Sequence, residues 1–322
     1  MLMENKPIEM TAPVLFLIFN RPDQTRRVFD AIRRARPPRL YVAADGPRQN
    51  KPGESERCAE VRRIATSVDW PCEVKTLFRE SNLGCKSAVS GAISWFFDNE
   101  EEGIILEDDC LPSASFFRFC SELLRRYKDN DNIFCITGDN FQPSMKGWSA
   151  SYYYSIYNHS WGWATWRRAW MNYAGDMESF SLSRSIPLLR SFDPSSEFIG
   201  YWNNRFAEAR DGEHSKINIW DYPWTWSCWL AGGLTCTPSV NLVQNIGFGP
   251  DATHTKGDGA ERLPLAHEIE FPLIHPADII PNRTFDRIAS ERHFGIRRRS
   301  LSERIYGRLR RELKGILPGS VA

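Results

Sequence analysis

Gly103-Ile104-Ile105-Leu106-Glu107-Asp108-Asp109-Cys110-Leu111-Pro112-Ser113-Ala114-Ser115-Phe116-Phe117 is the stretch on which the fold turns. Its first four residues are apolar and suit a buried parallel strand. Three carboxylates follow at once, and Pro112 with Ser113 or Ser115 then opens a helix carrying Phe116, Phe117 and Phe119. The acids therefore fall at the carboxyl end of a central strand, where open α/β sheets bind ligands. Adjacent carboxylates repel, and burying them costs several kcal/mol unless a cation or hydrogen-bond donors compensate. Short clusters of hard oxygen ligands suit Mg²⁺ or Mn²⁺, whose shells are completed by phosphate oxygens and water. The tripeptide alone reads equally as a solvated acidic turn; its place after an apolar strand favours a metal–phosphate site.

Upstream, strands alternate with helices. Pro13–Phe19, Leu40–Ala44 and Glu73–Phe78 read as strands, and 22–36, Glu54–Ser67 and Cys85–Phe97 as helices. Short links between them predict a doubly wound, mainly parallel, Rossmann-like α/β sheet with right-handed crossovers. Each of the four strand ends carries polar groups: Asn20-Arg21, Asp45, Asn82-Gly84-Lys86 and Glu107-Asp108-Asp109. Strand ends aligned on one edge build one crevice, and that coincidence outweighs any single residue. Alone, Asp45 reads as a turn former and Arg21 as a solvated cation.

Ile133–Thr137 is a further strand, and from about Trp148 the chain becomes aromatic. Tyr152–Tyr157 reads as a strand. Four tryptophans fall between Trp161 and Trp170, either as core under a helix or as a wall that stacks on sugars. Ser196–Glu208 reads as a helix. Asp221 stands among Trp220, Tyr222, Trp224 and Trp226. It reads both as a helix start, with Pro223 two residues on, and as a base whose pKa burial would raise. Val240–Val243 reads as a short strand leading to Asn245-Ile246-Gly247, Asp251 and His254, a glycine-bearing loop suited to touching metal or phosphate. The other five histidines suggest no role.

The formal charge of +1 points away from nucleic acid. No apolar run is long enough to cross a membrane, and Met1–Met10 lacks the pattern of a secretory signal. The eight cysteines show no CxxC pair, so free thiols and a cytoplasmic location are expected. From Arg297 to Lys314, eight basic residues face two acidic ones, with leucine or isoleucine recurring every four residues. This tail reads either as a helix on an anionic membrane surface or as a terminal helix packed on the body.

Together, the strand followed by Asn-Arg-Pro, the strand followed by Asp45-Gly46-Pro47, Asn82-x-Gly84, Glu107-Asp108-Asp109-x-x-Pro112, Trp220-Asp221 and the late Asn245-Ile246-Gly247 to His254 resemble the GT-A fold of nucleotide-sugar-dependent glycosyltransferases. The likeness is to the N-acetylglucosaminyltransferase I type and related bacterial nucleotide-diphospho-sugar transferases, over roughly residues 13–256. It implies a nucleotide-sugar-binding half at 1–147, an aromatic acceptor-binding half of the same domain at 148–280, and a basic helical tail at 281–322. It further implies that Asn20, Arg21 and Asp45 hold base and ribose, with uracil as the base. Lys86 would touch phosphate, and Glu107 and Asp108 would hold ribose and donor sugar. Asp109 would bind Mn²⁺ or Mg²⁺, and His254, or Asp251 in its place, would complete the metal or diphosphate site. Asp221 would be the general base of an inverting transfer to a glycan or glycolipid hydroxyl. Two other readings stand beside it. A sugar-phosphate nucleotidyltransferase would carry a glycine-rich basic loop after the first strand, where Asn20-Arg21-Pro22-Asp23 has no glycine. A non-catalytic carbohydrate- or nucleotide-binding protein on the same scaffold would show no metal-dependent nucleotide binding.

Overall fold

The computed structural model describes residues 12–210, 218–247 and 264–298. Four strands, β1 (Val14–Ile18), β2 (Arg39–Ala44), β3 (Glu73–Phe78) and β4 (Glu102–Glu107), are joined by helices α1 (Pro22–Ala35), α2 (Glu54–Ala65) and α3 (Cys85–Asn99). They pair in parallel in the order β3-β2-β1-β4. Both faces are covered, and the side chains record it. Val14, Phe16 and Ile18 of β1 enter one apolar layer with α1 and α2, while Leu15 and Leu17 enter the other with α3. The same alternation holds in β2 and β4, as a strand repeat of two requires. The doubly wound, mainly parallel α/β sheet is thus present.

After β4 the chain makes the short strand β5 (Cys110–Pro112) and helix α4 (Ala114–Arg126). The helix start is capped from afar. The Glu268 carboxylate accepts the Ala114 and Ser115 amides at 3.0 and 2.7 Å, where the Ser113 side chain makes no cap. The rest of the chain continues the same sheet with β6 (Ile133–Thr137), β7 (Tyr152–Ser155), β8 (Trp163–Trp166) and β9 (Leu234–Pro238). The full order is β3-β2-β1-β4-β8-β6-β9-β7, with β8 and β7 antiparallel to their neighbours.

Three differences from the sequence reading stand out. First, β8 and β9 were not expected. Trp163-Ala164-Thr165-Trp166 is buried on both faces and so shows no alternation, and β9 hides its strand pattern behind buried Thr235 and Thr237. Second, the strand expected at Val240–Val243 is β10 (Val243–Asn245), because it must reach β5, with which it pairs antiparallel. Third, β5 was not expected, because Pro112 reads as a helix opener and its pairing with β10 is made only by folding. Helices α5 (Arg167–Trp170), α6 (Leu182–Phe192), α7 (Ser196–Arg210), α8 (Asp221–Leu230) and α9 (Arg283–Arg292) complete the element list. The core reading holds for three of the four tryptophans. Trp163, Trp166 and Trp170 are core, whereas Trp161 is half-buried and lines a cleft. The tail beyond Arg298, His254 and Asp251 lie outside the described residues.

Candidate active site

The ends of β1, β2 and β4 open on one edge of the sheet, and a cleft of about 520 Å³ lies there. Arg21, Asp45, Glu107, Asp108, Asp109 and Asp221 all line it. Sequence positions as distant as 21 and 221 therefore meet. Asn20 and Lys86 are not among the lining residues. The Asn20 amide donates to Glu54 Oε1 at 2.9 Å, and Lys86 Nζ donates to the Ala209 carbonyl at 3.3 Å.

The acid triplet is organised by Arg21. Its guanidinium donates to Asp109 Oδ2 at 2.8 Å and pairs with Asp108 Oδ1. Asp108 is buried, and its Oδ2 accepts the Phe19 amide at 3.2 Å. Hydrogen-bond donors thus compensate part of the buried charge. The remaining charge is visible in the titration. Burial, then the Asp109 charge, raises Glu107 above the carboxylate range against the pull of Arg21. Burial also raises Asp108, although Arg21 opposes it. Burial disfavours the Arg21 cation, yet the Asp108 and Asp109 charges outweigh it and hold the group protonated.

The loop after β10 is laid directly on this triplet. The Ile246 amide donates to the Asp109 carbonyl at 2.8 Å, and the Gly247 amide donates to Asn245 Oδ1 at 2.8 Å. A Cβ on Gly247 would stand 2.2 Å from Asp109 Oδ2 and 2.9 Å from Arg21 Nη1, so only glycine allows this approach. Asp45 plays a different part. Its carboxylate accepts the Gly46, Leu83 and Gly84 amides and the Asn82 side-chain amide, all between 2.9 and 3.1 Å. It fixes the loop into α3, whose first turn borders the cleft. Gly84 there has φ +80°, and a Cβ would meet the Asn218 side chain at 2.4 Å.

Asp221 opens α8, and its Oδ1 accepts the Tyr222 amide at 2.9 Å. Asp221 is thus the first residue of the helix and not its N-cap, which is Trp220 without a side-chain cap bond. The Asp221 carboxylate lines the cleft close enough for its charge to help raise Glu107 and Cys85. Sequence reasoning missed Arg48 and Arg79. Arg48 is tied to buried Glu54 and lies over the Phe19 ring, and its signal was a basic residue just past Asp45-Gly46-Pro47. Asn218, also in the lining, gave no signal.

Five carboxyl and three guanidinium groups line the cleft; with Glu107 protonated by its raised pKa the balance is about −1. An anionic ligand such as a diphosphate would meet repulsion there without an added cation. The donor chemistry, hard carboxylate oxygens, fits Mg²⁺ or Mn²⁺. Among the described residues no group of three or more His, Cys, Asp or Glu side chains is placed to hold a metal ion, and Asp109 Oδ2 is engaged by Arg21.

No family model and no curated protein matches this chain. Among solved structures, it is similar to UDP-glucose pyrophosphorylase complexed with UDP-glucose, at 8% identity and a TM-score of 0.35, covering 73% of this chain and 93% of that one.

Proposed function

We propose that the protein is an inverting glycosyltransferase that moves a sugar from a nucleotide-diphosphate sugar, with uridine as the expected nucleoside, to a hydroxyl of a glycan or glycolipid. The observation that carries this reading is the meeting, in one cleft, of the Arg21-clamped acid triplet with Asp221 from the aromatic half. Asp109 would hold Mn²⁺ or Mg²⁺, which would supply charge stabilisation for the leaving diphosphate. Arg21 keeps Asp108 and Asp109 in place, and Gly247 keeps the loop close over them. Asp221 takes the proton of the acceptor hydroxyl, whose own pKa is too high for unaided attack. A single base on the face opposite the leaving group gives inversion, by the geometry that governs inverting hydrolysis. Trp161 and Trp220, both in the lining, limit water that would otherwise hydrolyse the donor.

The nucleotidyltransferase alternative stands beside it; that class would carry a glycine-rich basic loop after β1, where the link to α1 here is Phe19-Asn20-Arg21. Contact of the basic tail with an anionic membrane belongs to the same proposal. Removing residues after 294 should weaken association with anionic liposomes, and unchanged association would return the tail to the body. Calorimetry with UDP-sugars, with and without Mn²⁺, tests the main reading. Tight binding should need the cation, and Asp109→Ala should abolish it. Binding that ignores both the cation and the variant would overturn the proposal. Pyrophosphate as a product or co-substrate would transfer the reading to nucleotidyl chemistry.

A further inference from the structure

A second recess of about 70 Å³ adjoins the main cleft, sharing Ser160, Trp161 and Asp221 with it. It is built from the far half of the sheet and roofed by the end of α9. Its walls are aromatic, including Phe141, Tyr157, Trp202 and Phe294. Phe141 is stacked on His293 at 4.0 Å.

Three polar side chains in its lining each leave a buried atom without a partner among the described residues: Asp139, Asn158 and the Trp202 indole Nε1. Asp139, at the end of β6 and 1% exposed, accepts the Trp161 amide on Oδ2 at 3.0 Å, while its buried Oδ1 has no partner among the described residues. Asn158, just past β7 and 7% exposed, has its Oδ1 engaged by the Thr225 hydroxyl at 2.9 Å. Its buried Nδ2 likewise has no partner among the described residues. Buried polar atoms are rarely left unpaired, and each such case calls for an explanation. Asp139 Oδ1 can accept, or donate while burial keeps the carboxyl protonated, Asn158 Nδ2 donates, and a hydroxyl group can answer both.

The charge of the recess narrows the class further. No lysine or arginine lines it, and burial holds His159 and His293 neutral by lowering both pKa values. Burial likewise raises Asp139 well above the carboxylate range, so among the described residues the recess offers no cation to hold a phosphate or carboxylate. Several water-sized groups fit the volume, at roughly 15 Å³ of such space each. Aromatic walls with a few placed polar groups are the usual make-up of a small-molecule site.

We propose that this recess is a subsite for a neutral, polyhydroxylated ring, whose hydroxyl is held between Asp139 Oδ1 and Asn158 Nδ2 beside Asp221. It rests on the proposed transfer reaction and names the acceptor end as an uncharged glycosyl unit. Saturation-transfer NMR on the full chain tests it, with methyl glycosides of neutral hexoses as probes and a methyl glucuronide as anionic control. At least one neutral glycoside should bind and the glucuronide should not. Asn158→Ala and Asp139→Asn should each weaken that binding about tenfold, the order expected for one lost hydrogen bond to a buried partner. Thr225→Val, which releases the Asn158 amide without altering the recess lining's volume much, should weaken it in the same direction and covers the case in which a variant fails to fold. UDP binding, read by calorimetry on the same samples, should stay within about twofold, since no direct contact to the nucleotide side is removed. Absence of neutral glycoside binding, equal binding of the glucuronide, or folded variants that bind like wild type would overturn the subsite. Glycoside binding without UDP binding would instead sink the nucleotide reading and leave a polyol site standing.

Discussion

Gly247 shows how one residue can set the geometry of the acidic floor. Its Cβ position is already occupied by the Asp109 carboxylate, itself pinned by Arg21. Gly247→Ala should therefore push the loop off the triplet and weaken cation-dependent UDP binding at least about tenfold, roughly 1.4 kcal/mol or more. Calorimetry checks it, and a melting temperature near that of wild type would separate the effect from unfolding. Asp221→Asn keeps the shape of the α8 start but removes the proton acceptor. Donor binding should persist while transfer falls by about a hundredfold or more; near-normal transfer would remove Asp221 as the base. Arg21 was legible as a polar strand end but not as the partner of Asp108 and Asp109. That pairing spans 87 and 88 positions and is made only by folding. Asp109 and Asp221 were legible because each follows or begins a recognisable element.

Among the elements, α9 carries a buried carboxyl whose titration is readable. Asp286 accepts the Ser155 hydroxyl at 2.6 Å, and burial pushes its pKa up to about 7 against that bond. A carboxyl raised in the folded state adds stability at low pH and loses it as pH climbs through the folded pKa. Asp286→Asn lacks this titration, so its stability relative to wild type should rise between the ordinary aspartate range and about pH 7. The expected change is on the order of a few kcal/mol. Urea unfolding at several pH values measures it, and parallel curves would show that Asp286 does not titrate there. β1, β2, β3, β4 and β6 were legible from apolar runs with turn residues after them. β8 and β9 were not, because tryptophan and threonine buried on both faces erase the period-two signal.

At the scale of the molecule, β8 ties the halves together. It pairs with β4 on one side and β6 on the other, so a strand from the later half sits between two from the earlier one. Residues 1–147 and 148–322 expressed apart should each lack cooperative unfolding and near-ultraviolet dichroism, and should regain both when combined. Two independently folded fragments would contradict that interlocking. The doubly wound layout was readable from strand–helix alternation, whereas the strand order of the second half was not, since no local signal specifies a neighbour from distant chain.

The reversed direction of β8 has one more consequence. In a parallel sheet, the segments leaving the strands face the ligand. Here the segment entering β8 does so, and Gly162 presents its carbonyl to the Gly138 amide at 2.8 Å beside the tip of β4. This entering segment, not one leaving a strand, therefore carries Ser160 and Trp161 to the rim of the cleft. Exchanging them should alter what is admitted at the rim while the arginine-clamped floor keeps its grip unchanged.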